Sequence, residues 1–112
     1  MIYEICPLPI WRAAECRGSF SGAEIDHRDG YIHFSTAGQL RETADRDFAG
    51  KDGLALVAVD DMVLGPALKW EPARDGALLP HLYGDLSLNA VRWMKTLPLG
   101  ADGQHSFPDL SN

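Results

Sequence analysis

Cysteine is scarce in this chain: Cys6 and Cys16 are the only two among 112 residues. Ten residues apart, they match no zinc or redox spacing, and two are too few for a disulfide framework. Both are expected to be ordinary thiols, buried or half-buried. Long apolar runs are missing too. No stretch approaches the ~18 residues that would span a bilayer. No basic segment followed by an apolar one opens the chain, so no secretory leader is expected, and a cytoplasmic location is the default expectation. Positive charge is in deficit: 10 basic against 16 acidic residues leave a net charge of −6. That balance excludes broad, charge-driven binding of nucleic acid. There are no internal repeats and no low-complexity segments. P-loop, GxGxxG, GxSxG and HExxH patterns are all absent. His27, His33, His81 and His105 show no local ligand spacing, so no metal is expected. Ser35 lies too close to His33, on the same strand face, to read as part of a hydrolase triad.

What remains is the composition of an ordinary globular protein, 46% hydrophobic and 23% charged. One domain over residues 1–112 is expected, large enough to bury roughly two-thirds of its unfolded surface without staples. Ile2 to Cys6 alternates as a first strand. Pro7 to Pro9 then opens a helix that ends near Gly18, with Trp11 in the core. Residues 18–30 read as an exposed connection with a short strand at Ala23-Glu24-Ile25. Arg28-Asp29-Gly30 is a turn signal. In the strand Tyr31 to Ser35, Ile32 and Phe34 share the core face, and Tyr31, His33 and Ser35 the other. Ser35 or Thr36 caps a second helix, with Gln39 in a capping-box relation to Thr36, and that helix stops at Gly50. Leu54 to Val59 is a central strand buried on both faces. Ala67 to Glu71 is a strand stopped by Pro72. Leu78 to Leu86 is a short irregular strand or loop. Asn89 to Thr96 suits a strand better than a helix, because it is short and bounded by Pro98. The tail, residues 100–112, is polar and expected to be loosely held, with Phe107 as its one anchor. Both helices fall in the first half and no regular crossover helices separate the later strands. The fold class is therefore α+β rather than a doubly wound parallel sheet.

Three constellations carry chemistry. His33 on its polar strand face can donate to a ligand hydroxyl or carbonyl, with Ser35 or Thr36 orienting it. The helix beginning after Ser35 offers free N–H groups to a phosphate. His81 and Tyr83 alternate in Pro80-His81-Leu82-Tyr83-Gly84 and can form a stacking platform for a flat ring. In Trp70-Glu71, a carboxylate beside a large aromatic can sit in a partly apolar cleft with a raised pKa and act as acid, base or electrostatic stabiliser. Each constellation also has a plain structural reading: a histidine bonded to backbone, a packed turn, an exposed strand end.

The run Asp29-Gly-Tyr-Ile-His-Phe-Ser-Thr-Ala37, followed by Leu68-Lys-Trp-Glu71 and Pro80-His-Leu-Tyr-Gly84, resembles the small, mostly bacterial, uncharacterised proteins of domain of unknown function 952. The likeness runs from Ile2 to about Leu99. It implies an ADP-ribosyltransferase-like fold, a split and strongly bent mixed sheet with two helices in the N-terminal half. A looser likeness to tRNA 2′-phosphotransferases implies NAD as ligand or substrate and transfer of ADP-ribose. By that analogy His33 and Ser35 line the NAD cleft and Tyr83 covers a flat ring; Thr36, Trp70 and His81 are further candidate ligand-binding residues. Glu71 then favours the charge that forms as nicotinamide leaves. One position departs. Relatives often carry a histidine in the first strand against the adenosine ribose, where this chain has Glu4. An ionised Glu4 cannot donate and repels a pyrophosphate. No arginine stands inside the three motifs; Arg28, Arg46 and Arg74 are near them in sequence only. The residues leave open whether this is an enzyme or a non-catalytic ligand- or partner-binding domain that kept the fold.

Overall fold

The computed structural model describes residues 1–73 and 75–110. The chain is built around β4 (Leu54–Val59), whose six residues are all buried. β4 pairs on one side with β1 (Ile2–Pro7) and on the other with β8 (Val91–Leu97), both antiparallel. Its alternation divides the interior. Ala55, Val57 and Val59 join one core cluster with Trp11 and Phe20. Leu54, Leu56 and Ala58 join another with Tyr3 and Leu40. A continuous apolar run is what a strand covered on both faces requires.

Three α-helices precede β4. α1 (Leu8–Arg17) turns Trp11 and Ala14 inward and ends at left-handed Gly18. α2 (Glu24–Asp29) occupies the segment where a short strand was expected. The reason is local. Asp26 reaches back so that its Oδ2 accepts the Ala23 N–H at 2.8 Å, which closes the first turn. Gly22 permits this, because a Cβ there would stand 2.7 Å from the Cβ of Asp26. α3 (Leu40–Asp47) follows a 3-10 turn at Ala37–Gln39 and packs Leu40 and Ala44 into the second cluster. The Gln39 Oε1 accepts the Thr36 N–H at 3.0 Å, the half of the capping box read from the sequence.

A second sheet, ordered β3 (Ile32–His33), β6 (Leu78–Leu82), β5 (Leu68–Pro72), is antiparallel throughout. A small ladder joins β2 (Ser19–Phe20) to β7 (Leu86–Ser87). The sheets meet where Tyr3 of β1 bridges Ser35 just beyond β3, with each backbone N–H donating to the other's carbonyl. The fold is α+β with split sheets. The mixed sheet implied by the resemblance is not found, since every ladder among the described residues is antiparallel. The expected two helices are three, because Asp26 nucleates the extra one.

The tail is better held than its polarity suggests. Leu99 bridges His105, and the buried His105 ring donates from Nε2 to the Lys51 carbonyl at 2.7 Å. Phe107 and Leu110 pack against the second cluster, and the Arg41 guanidinium lies 4.8 Å from the centre of the Phe107 ring. No helix among the described residues is long and apolar enough to cross a membrane.

Candidate functional site

β3 and β6 place two histidines opposite each other. His33 pairs with His81 across the ladder, and their ring centroids are 5.6 Å apart. Each ring is anchored by a carboxylate. His33 Nδ1 stands 2.6 Å from Asp26 Oδ1, and its Nε2 stands 3.0 Å from Asp29 Oδ2. The His33 backbone N–H donates to the same Asp26 oxygen at 3.0 Å. An ionised carboxylate only accepts, so a ring held at both nitrogens by carboxylates is a doubly protonated imidazolium. Burial works against that charge. The bonds and charges of Asp26 and Asp29 outweigh it, and the His33 pKa is raised.

His81 is held at one nitrogen. Its Nδ1 donates to Glu71 Oε1 at 2.8 Å, and the Tyr83 hydroxyl donates to the same oxygen at 2.7 Å. These two bonds hold the Glu71 carboxyl below the usual carboxylate range, the Tyr83 bond contributing most. The same bond pushes the Tyr83 hydroxyl up to about 12. With Nδ1 committed to Glu71, Nε2 of His81 is the ring nitrogen left for a ligand. Tyr31 ties the group together: its ring lies 4.6 Å from His33, 4.2 Å from His81 and 5.2 Å from Tyr83, centre to centre.

Both histidines line a cavity of about 410 Å³ that reaches from β1 to α3. This falls within the size range of small-molecule sites. Ser35 and Thr43 contribute hydroxyls, bonded to one another at 2.9 Å. Glu4 and Asp26 contribute buried carboxyls, and Arg46 and Lys51 contribute positive charge. Glu4 is 4% exposed, with its Oε2 unpartnered. Burial first, then the negative charge of Asp26, raises its pKa well above the carboxylate range. Burial therefore favours the neutral, donating form of Glu4 over the repelling anion expected from the sequence.

The family model described as a protein of unknown function, DUF952, matches residues 5–94. The chain belongs to the DUF952 family. It is similar over most of its length to protein CC0527 from Caulobacter crescentus. The crystal structure of that protein is 43% identical, with 94% of this chain and 92% of that one covered and a TM-score of 0.89. A crystal structure of its double mutant gives 42% identity, the same 94% and 92% coverage and the same TM-score of 0.89. Its solution NMR structure gives 44% identity over 92% and 89% of the two chains, with a TM-score of 0.81. No curated protein matches the chain.

In this DUF952 chain the residues singled out from the sequence separate into groups. His33, Ser35 and His81 line the cavity; Glu71 and Tyr83 do not, Glu71 being bonded to His81 and Tyr83 to Glu71. Glu71 was expected in an apolar cleft with a raised pKa. Its pKa is lowered, because its neighbours are hydrogen-bond donors rather than the Trp70 ring. Trp70 pairs with Pro80 on the opposite face of β5 from Glu71 and is 42% exposed, so the structure does not bring it to the others. Thr36 does not line the cavity, and its N–H is taken by Gln39. His33 is oriented by Asp26 and Asp29 rather than by Ser35 or Thr36. Arg28 and Arg46 line the cavity; Arg74 lies outside the described residues. Among the described residues no group of three or more His, Cys, Asp or Glu side chains is arranged to hold a metal ion. Sequence reading missed Asp26. The Gly22-to-Gly30 bracket around an acidic residue three after Ala23 was the available signal for a capped short helix.

Proposed function

We propose that this is an ADP-ribosyltransferase-like domain whose cavity binds NAD or a related nucleotide, with transfer of ADP-ribose as the associated reaction. The observation that carries the reading is the pairing of His33 with His81 on the wall of a cavity of about 410 Å³. Imidazole faces there suit a flat heterocycle. The Ser35 and Thr43 hydroxyls suit sugar hydroxyls, and Arg46 and Lys51 suit phosphate. Burial pushes the Glu4 carboxyl toward its neutral form, which donates rather than repels a phosphate. The resemblance of the sequence motifs adds support of a weaker kind. Ligand-observed NMR tests it. A saturable NAD signal that weakens in His81→Ala is expected; no signal at millimolar NAD with folded protein contradicts it.

A second reading, a non-catalytic ligand- or partner-binding domain, is favoured by one observation. Glu71, the carboxylate that would stabilise charge at the nicotinamide ribose, does not line the cavity. Release of nicotinamide from NAD separates the two: release supports transfer, and binding without release supports a binding domain.

A further inference from the structure

We infer that His33 and His81 are an acid–base pair that opens a nucleoside 2′,3′-cyclic phosphate with water. The inference rests on the nucleotide reading of the cavity but not on NAD. Breaking a phosphodiester needs one group to take a proton from the nucleophile and another to give one to the leaving oxygen. The two histidines stand at paired positions on neighbouring strands, and both line one cavity. They differ in what holds them. Carboxylates at both nitrogens make His33 a proton donor. A carboxylate at Nδ1 alone leaves His81 an open Nε2, the arrangement in which a carboxylate fixes the tautomer of a histidine base. With centroids 5.6 Å apart, one phosphoryl group can touch both rings. Tyr31 lies over both rings and does not line the cavity, so that side stays free for substrate. Asp29 is the exposed last residue of α2 and shares its carboxylate with Arg28. Asp29 does not line the cavity, so a substrate's leaving oxygen takes the proton of His33 Nε2 by displacing the Asp29 oxygen, now at 3.0 Å. Lys51, on the same cavity, suits the phosphate charge; Arg46 is there too, its guanidinium bonded to Asp47.

The step balances without a further reactant. Water gives a proton to His81 Nε2 as its oxygen bonds to phosphorus. The bond from phosphorus to one ribose oxygen breaks, and that oxygen takes its electron pair and a proton from His33. The product is a phosphomonoester; His81 then releases its proton to solvent, and His33 regains one from solvent. Glu71 acts as a positioning residue through His81, and Asp26 does so through His33.

The test is ³¹P NMR of 2′,3′-cyclic AMP with the full chain in EDTA. Conversion to a monoester that falls at least about 100-fold in His81→Ala is expected. His81→Gln, which keeps a polar side chain in the strand, gives the same answer if the alanine variant does not fold. No conversion by folded wild-type protein overturns the inference, as does conversion unchanged in the His81 variants. An NAD signal without conversion removes this inference and leaves the binding reading standing; conversion without an NAD signal does the reverse.

Discussion

Asp26 Oδ1 stands 2.6 Å from His33 Nδ1 and 3.0 Å from the His33 backbone nitrogen, while its Oδ2 stands 2.8 Å from the nitrogen of Ala23. One buried carboxylate therefore caps α2, fixes the start of β3 and sets the charge of the ring that walls the cavity. The α2 helix, a site histidine and the strand that carries it are made dependent on one side chain.

Asp26→Ala is expected to destabilise the chain by about 3 kcal/mol. It leaves two backbone N–H groups without their acceptor and the part-buried His33 ring with Asp29 as its one carboxylate. Urea unfolding measures it. A change below about 1 kcal/mol would show that α2 and β3 are held by other means.

Stability is expected to fall on the alkaline side of neutrality. His33 has a folded pKa raised by Asp26 and Asp29 against the opposing effect of burial. Its contribution is fully present below the ordinary histidine value, about 6.5, and is lost as pH rises through the raised folded value. Glu4, also raised, works in the same sense from a lower starting point. Asp29, lowered mainly by its bond from Arg28, and Glu71, lowered by Tyr83 and His81, work the other way. Their contributions hold above the ordinary carboxylate range and are lost as pH falls. Thermal melts across pH should flatten above about 6.5 in His33→Gln and keep their acid limb. An unchanged alkaline slope in that variant would contradict the assignment.

The two thiols should behave differently. Cys6 is buried in the core and its pKa is pushed up, first by desolvation and then by Glu4 and Asp26. Cys16 is exposed on α1. A thiol reagent on the folded protein is expected to modify Cys16 alone, with Cys6 appearing only in denaturant. Rapid modification of Cys6 in native buffer would mean that the core opens on that face.

Removing residues 100–112 is expected to cost about 3 kcal/mol. Deletion uncovers the core cluster beneath Phe107 and Leu110 and takes away the His105 bond to Lys51. Denaturant midpoints of the two chains measure it; equal midpoints would show that the docked tail adds nothing.

The parts of the fold set by short-range pattern were legible. β4 announces itself as an unbroken apolar run, β1 alternates, and α1 is bracketed by proline and Gly18. α2 was not legible, because its six residues EIDHRD carry no helical stripe and its stability comes from one capping side chain. The tail misled for a related reason: its polar composition hides a few buried contacts made far away in sequence. At the site, period-two alternation correctly set His33 with Ser35 and His81 with Tyr83. It also sets Trp70 and Glu71 on opposite faces, so their adjacency in sequence suggested a contact that a strand does not make. The carboxylates that decide the chemistry, Asp26 for His33 and Glu71 for His81, lie seven and ten residues away from their rings. No local motif could pair them.

Two facing histidines are bonded differently, His33 to carboxylates at both nitrogens and His81 to one at Nδ1. Long-range ¹H–¹⁵N spectra of the imidazole nitrogens at pH 7 read this directly. The predicted result is a doubly protonated His33 together with a His81 that carries its proton on Nδ1 and a free Nε2. A neutral His33, or a His81 protonated on Nε2 with Nδ1 bare, would contradict it.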